Sequence, residues 1–388
     1  MKTRVALVQA TAKEVALETE LVHLALRAAE HHPILKAVYM GPLEWFEEAR
    51  RDPGSPERLA EQAHDLAARA GDAGHAYVAG QARSVAVQLD VKQGRVLPYD
   101  EMVAALLGLE LEPVDPDSAA RLRNEVVELA QGDVERWERD RLISGEAKWD
   151  AAMAVYSAGR HYAFGGAFPI PIDENLELIR ITDELWSVNL SWYPPRRMTF
   201  EVNVATPRTP ETVAFEVAHN IYPGDYLHLA VLQQHTYGKR GHVAASMKLK
   251  NAPESVVSEG IEETALFRMF PEPSRDQVLA CKLEWLRRIA TFAGALGLQV
   301  EGRSEREVLS TIARDGFMDG ARAAFQLRLI KHPLWGPYQY TYILGRKLVE
   351  EADRRSAGSD QHAYLEYLYG GLHTPQTFLR DLEPIASR

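Results

Sequence analysis

The stretch from Val217 to His228 reads VAHNIYPGDYLH. It sets an imidazole, His219, six residues ahead of a carboxylate, Asp225, with Pro223-Gly224 between them. Proline inside a helix removes a backbone hydrogen bond, so the pair predicts a kink. Side chains six apart on a straight helix diverge by about 120°, so only a bend would bring His219 and Asp225 to one point. About forty residues further on, SEGIEE sets Glu259, Glu262 and Glu263 at i, i+3 and i+4 of one helix face. Like charges so spaced repel by roughly a few tenths of a kcal/mol when exposed. When buried they need protons or a cation. A divalent metal near His219 would meet that need, with polarisation of a carbonyl and activation of water as its chemistry.

Together these stretches resemble the signature of the bacterial domain-of-unknown-function family 885, a zincin-like family related in pattern to the helical gluzincin peptidases. Its pattern is V-A-H-E-A-Y-P-G-H-H, followed some tens of residues later by E-G-L/W-A. The present chain has VAHNIYPGDY and SEGIEETA. Further similarity lies in LPYDEMVAALLGLELEPVD (97–115), in FEVNVATPRTP before the signature, and in LIKHPLWGPYQYTYILG with its Tyr342-to-Gly345 Y-x-x-G element. The resemblance spans about residues 90–385.

That resemblance implies a helical metallohydrolase-like fold with a cleft, in which His and Glu side chains hold zinc and a Glu serves as base. Matched position by position, His219 is the first ligand and Glu259 the distant one. Asp225 stands at the first His of the H-H pair and Tyr226 at the second. Asn220 stands where the family has its Glu base. An amide accepts no proton at neutral pH, and loss of a positioned base costs about 10²–10⁴-fold in rate. Either Glu263 or Glu262 has taken over, or the reaction differs, or catalysis is lost. Tyr342 or Tyr338 is a candidate for stabilising an oxyanion.

Plainer readings stand beside these. A single helical His is usually a surface or hydrogen-bonded residue, Asp after Pro-Gly is a good cap for a restarting helix, and a run of Glu is usually a solvated face. His228 follows His219 by nine residues and is an alternative ligand if the chain bends. Asn220 could simply bond a neighbouring backbone group.

The elements that must hold these residues are mostly helices. Helical spacing or cap signals mark 15–30, 57–71, 75–91, 98–108, 116–131, 133–144 and 147–163. Residues 164–210 are richer in Gly, Pro and β-branched types. Alternation around Leu176–Ile181, Trp186–Trp192 and Met198–Val204 predicts two or three short strands. Helices return at 211–235, 254–270, 274–297, 304–315, 318–332, 337–356, 360–370 and 374–382. The expectation is a mostly α, zincin-like chain with a small strand insert around 175–205. It is read as a single helical unit over 1–388, with sub-regions 1–163, 164–210 and 211–388.

Composition narrows the function. Of 388 residues, 44 are Lys or Arg and 55 Asp or Glu, a net charge of −11, which argues against nucleic acid as a partner. The single cysteine, Cys281, leaves no internal disulfide and no Cys-rich zinc site, so any metal must use His and carboxylates. No run approaches the ~18 apolar residues of a membrane span, and the first residues lack a secretory pattern. The expectation is a cytoplasmic protein acting on a small-molecule or peptide substrate. It is either a zinc-dependent hydrolase of peptide or amide bonds (Zn held by His219, Asp225 and Glu259; Glu263, Tyr342 and position 220 in catalysis), or an inactive binding protein that keeps the cleft.

Overall fold

Short polar side chains cap three of the helices in the N-terminal part, those that begin at Pro56, Pro116 and Val134. The computed structural model describes residues 9–31, 38–184, 186–193 and 197–386. The reading of the first eight residues therefore lies outside it. The order is α1 (Ala12–His31), the two-residue strand β1 (Val38–Tyr39), α2 (Leu43–Arg51), α3 (Pro56–Asp72), α4 (Ala76–Lys92), α5 (Tyr99–Leu107), α6 (Pro116–Leu129), α7 (Val134–Arg139) and α8 (Gly145–Phe164). Ser55 accepts the Arg58 amide at the head of α3, and Asp115 accepts those of Asp117 and Ser118 at α6, each with Pro at the first helical position. Gly108 ends α5 in the left-handed region at φ 73°.

The insert is a three-stranded sheet of β2 (Leu176–Ile181), β3 (Val188–Tyr193) and β4 (Arg197–Asn203), in the order β2–β4–β3. β4 runs parallel to β2, with Leu176 opposite Met198, and antiparallel to β3, with Val188 opposite Val202. Met198, Phe200 and Val202 on β4 join the apolar cluster that holds Val213, Val217 and Ile221 of the next helix. The fold is mostly α with a small β insert.

The rest comprises α9 (Pro210–Asn220), α10 (Asp225–Val231), a π-helical turn over Leu232–Tyr237, a 3₁₀ turn over Val243–Ser246, β5 (Met247–Lys248), α11 (Pro253–Glu263), α12 (Ala265–Met269), α13 (Arg275–Gln299), α14 (Glu305–Asp315), α15 (Gly320–Lys331), α16 (Trp335–Arg355), α17 (Gln361–Gly370) and α18 (Pro375–Ala386). β5 pairs with β1, Lys248 opposite Val38, a ribbon absent from the sequence reading. Ser304 and Glu307 form the expected reciprocal cap of α14. Among the described residues no helix is long and apolar enough to cross a membrane.

Two differences from the sequence reading matter for the site. The expected continuous helix over 211–235 is broken, not kinked: α9 stops at Asn220 and a new helix starts at Asp225. Gly224 makes the break possible, because a Cβ there would lie 1.8 Å from the His219 carbonyl oxygen and 2.4 Å from that of Ala218. The expected helix over 254–270 is also two, α11 and α12, parted at Thr264, whose hydroxyl donates to the Gly260 carbonyl at 2.7 Å.

Every residue of α11 is buried, and it packs against α4, α5, α9, α10, α16 and α18. Its Glu face is therefore not a solvated one. Where α11 meets α16 the backbones touch. A Cβ on Gly260 would sit 2.2 Å from the Gly345 carbonyl oxygen, and one on Gly345 would sit 2.0 Å from that of Val256.

Candidate metal centre

His219 is delivered by a tightly held connection. Leaving β4, the Asn203 side chain accepts the Ala205 amide, and the buried Lys148 ammonium donates to the carbonyls of Asn203 and Thr206 at 2.7 and 2.9 Å. Thr209 then caps α9 by accepting the Thr212 amide. Ten residues later α9 ends with His219 turned toward α11.

Three carboxylates of α11 surround that imidazole. Nε2 of His219 lies 3.3 Å from Glu262 Oε2 and 3.6 Å from Glu259 Oε2, while Nδ1 lies 3.5 Å from Glu263 Oε1. His219, Glu259 and Glu262 each offer a ligand atom within 4.8 Å of the others. The two Nε2 separations match the edge of about 3.4 Å that a zinc tetrahedron has when its bonds are about 2.0–2.2 Å.

Glu259 and Glu262 each have one oxygen held from outside and one turned inward. Glu262 Oε1 accepts from the Lys248 ammonium at 2.7 Å and the Ser258 hydroxyl at 2.8 Å, leaving Oε2 toward His219. Glu259 Oε1 accepts a short hydrogen bond from the Tyr338 hydroxyl and lies 3.6 Å from Lys250 Nζ, leaving a buried Oε2 with no hydrogen-bond partner. Glu263 stands behind His219, its Oε1 3.5 Å from Nδ1, an ionic approach rather than a hydrogen bond. A buried acceptor without a donor costs roughly 1–3 kcal/mol, so the inward Oε2 of Glu259 calls for a cation. On these grounds the donor set fits zinc.

Asp225 lies one ion pair away from this trio. As the first residue of α10, it binds Lys248 Nζ at 2.8 Å, and that ammonium bridges it to Glu262. Glu262 stands in the position that the sequence reading gave to Asp225. Tyr226 is turned to the sheet connection, its hydroxyl accepting the Asn175 amide at 2.6 Å. His228 is buried against the Tyr369 ring, away from the trio, and its imidazole is pushed down to about 3 by burial and by Lys248. Asn220 donates its side-chain amide to the Glu216 carbonyl one turn back at 2.8 Å, a bond within its own helix.

Lys248, Lys250 and Arg288 escaped the sequence reading, whereas Tyr338 was a candidate in it and is placed here against Glu259. Buried lysines are rare, so the alternation in MKLK (247–250) gave little signal. Arg288 of α13 contacts Glu263 Oε1 at 3.4 Å and stacks over the Tyr342 ring at 3.7 Å from its centroid. Tyr342 meets Tyr338 edge-on, with ring centroids 5.6 Å apart.

Four carboxylates (Asp225, Glu259, Glu262, Glu263) thus face three permanent cations (Lys248, Lys250, Arg288) around His219. One positive charge is wanting, and a proton on His219 or a metal beside it would supply it. Burial acts to lower the imidazole pKa, but the bond to Glu262 and the charges of Glu262, Glu263 and Glu259 prevail and raise it. Burial, then Asp225 and Glu259, raises Glu262. For Glu259, burial is outweighed by Lys250, His219 and Lys248, and its carboxyl is lowered.

The cluster reaches the surface on one side. The side chains of His219, Arg288 and Lys250 are 12, 27 and 29% exposed, against 1–2% for Glu259, Glu262 and Glu263. Two surface grooves of about 380 and 420 Å³ lie elsewhere, beside α1 and α3, and none of the trio lines them.

No family model and no curated protein matches the chain. Solved structures do. A "putative lipoprotein" from Colwellia psychrerythraea superposes with a TM-score of 0.60 at 14% identity, covering 89% of this chain and 66% of its own length. A "putative lipoprotein of unknown function" from Shewanella oneidensis gives 0.51 at 13% identity, covering 89% of this chain and 77% of its own. The chain thus spans just under two thirds of the first. At these identities the likeness is one of fold.

Proposed function

We propose that this chain is a divergent metal-dependent hydrolase of peptide or amide bonds, a distant relative of domain family 885, with His219, Glu259 and Glu262 as the metal ligands. The observation that carries the reading is the set of three donor atoms within 4.8 Å of one another, two of them on carboxylates whose other oxygen is engaged from behind. Bound zinc would polarise a substrate carbonyl and lower the pKa of its water. The chain's own residues supply the rest. Glu263 lies 3.5 Å from His219, and its unpartnered buried Oε2 makes it our candidate proton acceptor in place of Asn220. Tyr342, beneath Arg288, is our candidate hydrogen-bond donor to the oxyanion. Lys248 bridges Asp225 and Glu262 and offsets the repulsion of their like charges.

Asn220, bonded to its own helix, favours the competing reading of a binding protein without catalysis. Elemental analysis of protein purified without chelator separates the two: one zinc per chain, lost in folded His219→Ala and in Glu262→Gln, supports the centre. Metal-free protein that takes up no added zinc refutes it. Turnover of a peptide and amide panel by the zinc-loaded chain, lost in Glu263→Gln, would then refute the inactive reading.

We keep the cytoplasm as the compartment. Cys281 is buried in α13 with its pKa pushed up to about 12 by burial, which suits no disulfide. Cell fractionation that recovers the chain with membranes would overturn this.

A further inference from the structure

The exposed side of the metal centre is basic although its floor is acidic. Lys250 and Arg288 are its most exposed charged groups, and both are under-used as donors. The Lys250 ammonium gives one hydrogen bond, to the Tyr338 hydroxyl at 3.1 Å, and stands 3.6 Å from Glu259. The Arg288 guanidinium, with five N–H groups, makes one contact with Glu263 at 3.4 Å. Their positions are fixed by aromatic rings: Arg288 lies over Tyr342, Lys250 lies 5.4 Å from the Tyr338 centroid, and the two rings pack edge to face. Lys250 stands 3.6 Å from Glu259 and Arg288 3.4 Å from Glu263, carboxylates one turn apart on α11, so the two cations flank the same stretch of that helix. Two cations held by rings, with donors to spare, beside the opening of a site for amide bonds form a receptor for a carboxylate.

We infer that Lys250 and Arg288 bind the free carboxylate of the substrate, so that the site takes N-acyl amino acids and peptide C-termini in preference to internal or amidated bonds. This inference rests on the hydrolase reading. A carboxylate seated there sets the adjacent amide carbonyl toward His219, Glu259 and Glu262, and the guanidinium can meet it with two parallel N–H bonds.

Calorimetric titration with hippurate and with hippuramide, which differ only in carboxylate against carboxamide, tests this without requiring turnover. The probes are applied to the zinc-loaded and to the chelator-treated chain. Hippurate is expected to bind at least tenfold tighter than hippuramide in the zinc-loaded chain, where the metal offsets the excess of carboxylates, and with a smaller preference in the chelator-treated one. The preference should fall to threefold or less in Lys250→Met and in Arg288→Gln, and persist in Arg288→Lys, with folding checked by circular dichroism. Equal binding of the two probes by the unaltered chain overturns the inference, as does a preference intact in both charge-removing variants. If Arg288→Gln does not fold, Lys250→Met and Arg288→Lys still decide it. Stoichiometric zinc with equal probe binding refutes the carboxylate subsite and leaves the hydrolase reading standing. A carboxylate preference in a chain that takes up no zinc refutes the hydrolase reading and with it the role of these residues as a substrate subsite.

Discussion

Gly260 and Gly345 meet backbone to backbone where α11 crosses α16, with no room for a methyl group on either. This contact sets Glu259 and Glu263, which flank Gly260, against Tyr338 and Tyr342 of α16, and it lets the Tyr338 hydroxyl reach Glu259. Forcing a side chain into packed backbone costs typically 1–3 kcal/mol and sometimes more. Gly345→Ala and Gly260→Ala are each expected to lose at least about 2 kcal/mol of stability in urea denaturation and to weaken zinc retention. Wild-type stability in both would show that the helices cross with more space than described.

The two glycines also show what the sequence could and could not disclose. E-G and Y-x-x-G were visible as separate motifs, but nothing in one chain reveals that they are two sides of one contact. The strands were legible because Leu176–Ile181 and Met198–Val204 alternate, and the starts of three helices because Ser55, Asp115 and Ser304 cap them. The break at Pro223-Gly224 was read as a kink, since only the tertiary structure reveals that Gly224 lies against the carbonyl of His219. That difference moves Asp225 onto a new helix and toward Lys248, leaving Glu262 beside His219. Glu262 was legible as a neighbour of Glu259 on one face, but choosing among three glutamates requires knowing which oxygens Lys248 and Tyr338 engage.

Zinc should therefore discriminate between Asp225 and Glu262. A ligand that binds only the folded chain adds about 2.7 kcal/mol at a concentration one hundred times its Kd. Added zinc is expected to raise the melting temperature of the chelator-treated wild type and of Asp225→Asn, but not of Glu262→Gln or His219→Ala. A shift lost in Asp225→Asn and kept in Glu262→Gln would restore Asp225 to the ligand set.

Lys248 is 1% exposed and is held between two carboxylates. Removing one partner of a buried ion pair costs about 3–5 kcal/mol, because the charge left behind is unpaired. Lys248→Met is expected to destabilise the chain by that order, and Lys248→Met with Asp225→Asn to recover part of the loss. Chemical denaturation of the three proteins checks this. A single variant as stable as the wild type would mean that the ammonium does not form the bridge.

Glu18 of α1 supplies a pH test outside the metal centre. Its side chain is fully buried, accepts the Ala244 amide at 3.1 Å, and lies 3.0 Å from His242 Nδ1 and 3.5 Å from His75 Nε2. Burial acts to raise its pKa, but the bonds to His242, His75 and the Ala244 amide outweigh it and hold the carboxyl at about 2. A carboxyl whose pKa is lower folded than unfolded contributes stability above its unfolded value, and that contribution is lost as pH falls through the folded one. The window thus runs from about pH 4.5 down to about pH 2, and a shift of this size corresponds to roughly 2–3 kcal/mol. Glu18→Gln should be less stable than the wild type at pH 7, and the gap should narrow across that window as the wild type's carboxylate takes up its proton. Melting curves of both proteins from pH 7 to pH 2 measure it. Parallel curves, with the gap unchanged at pH 2, would show that Glu18 is not held ionised by the two histidines and the amide.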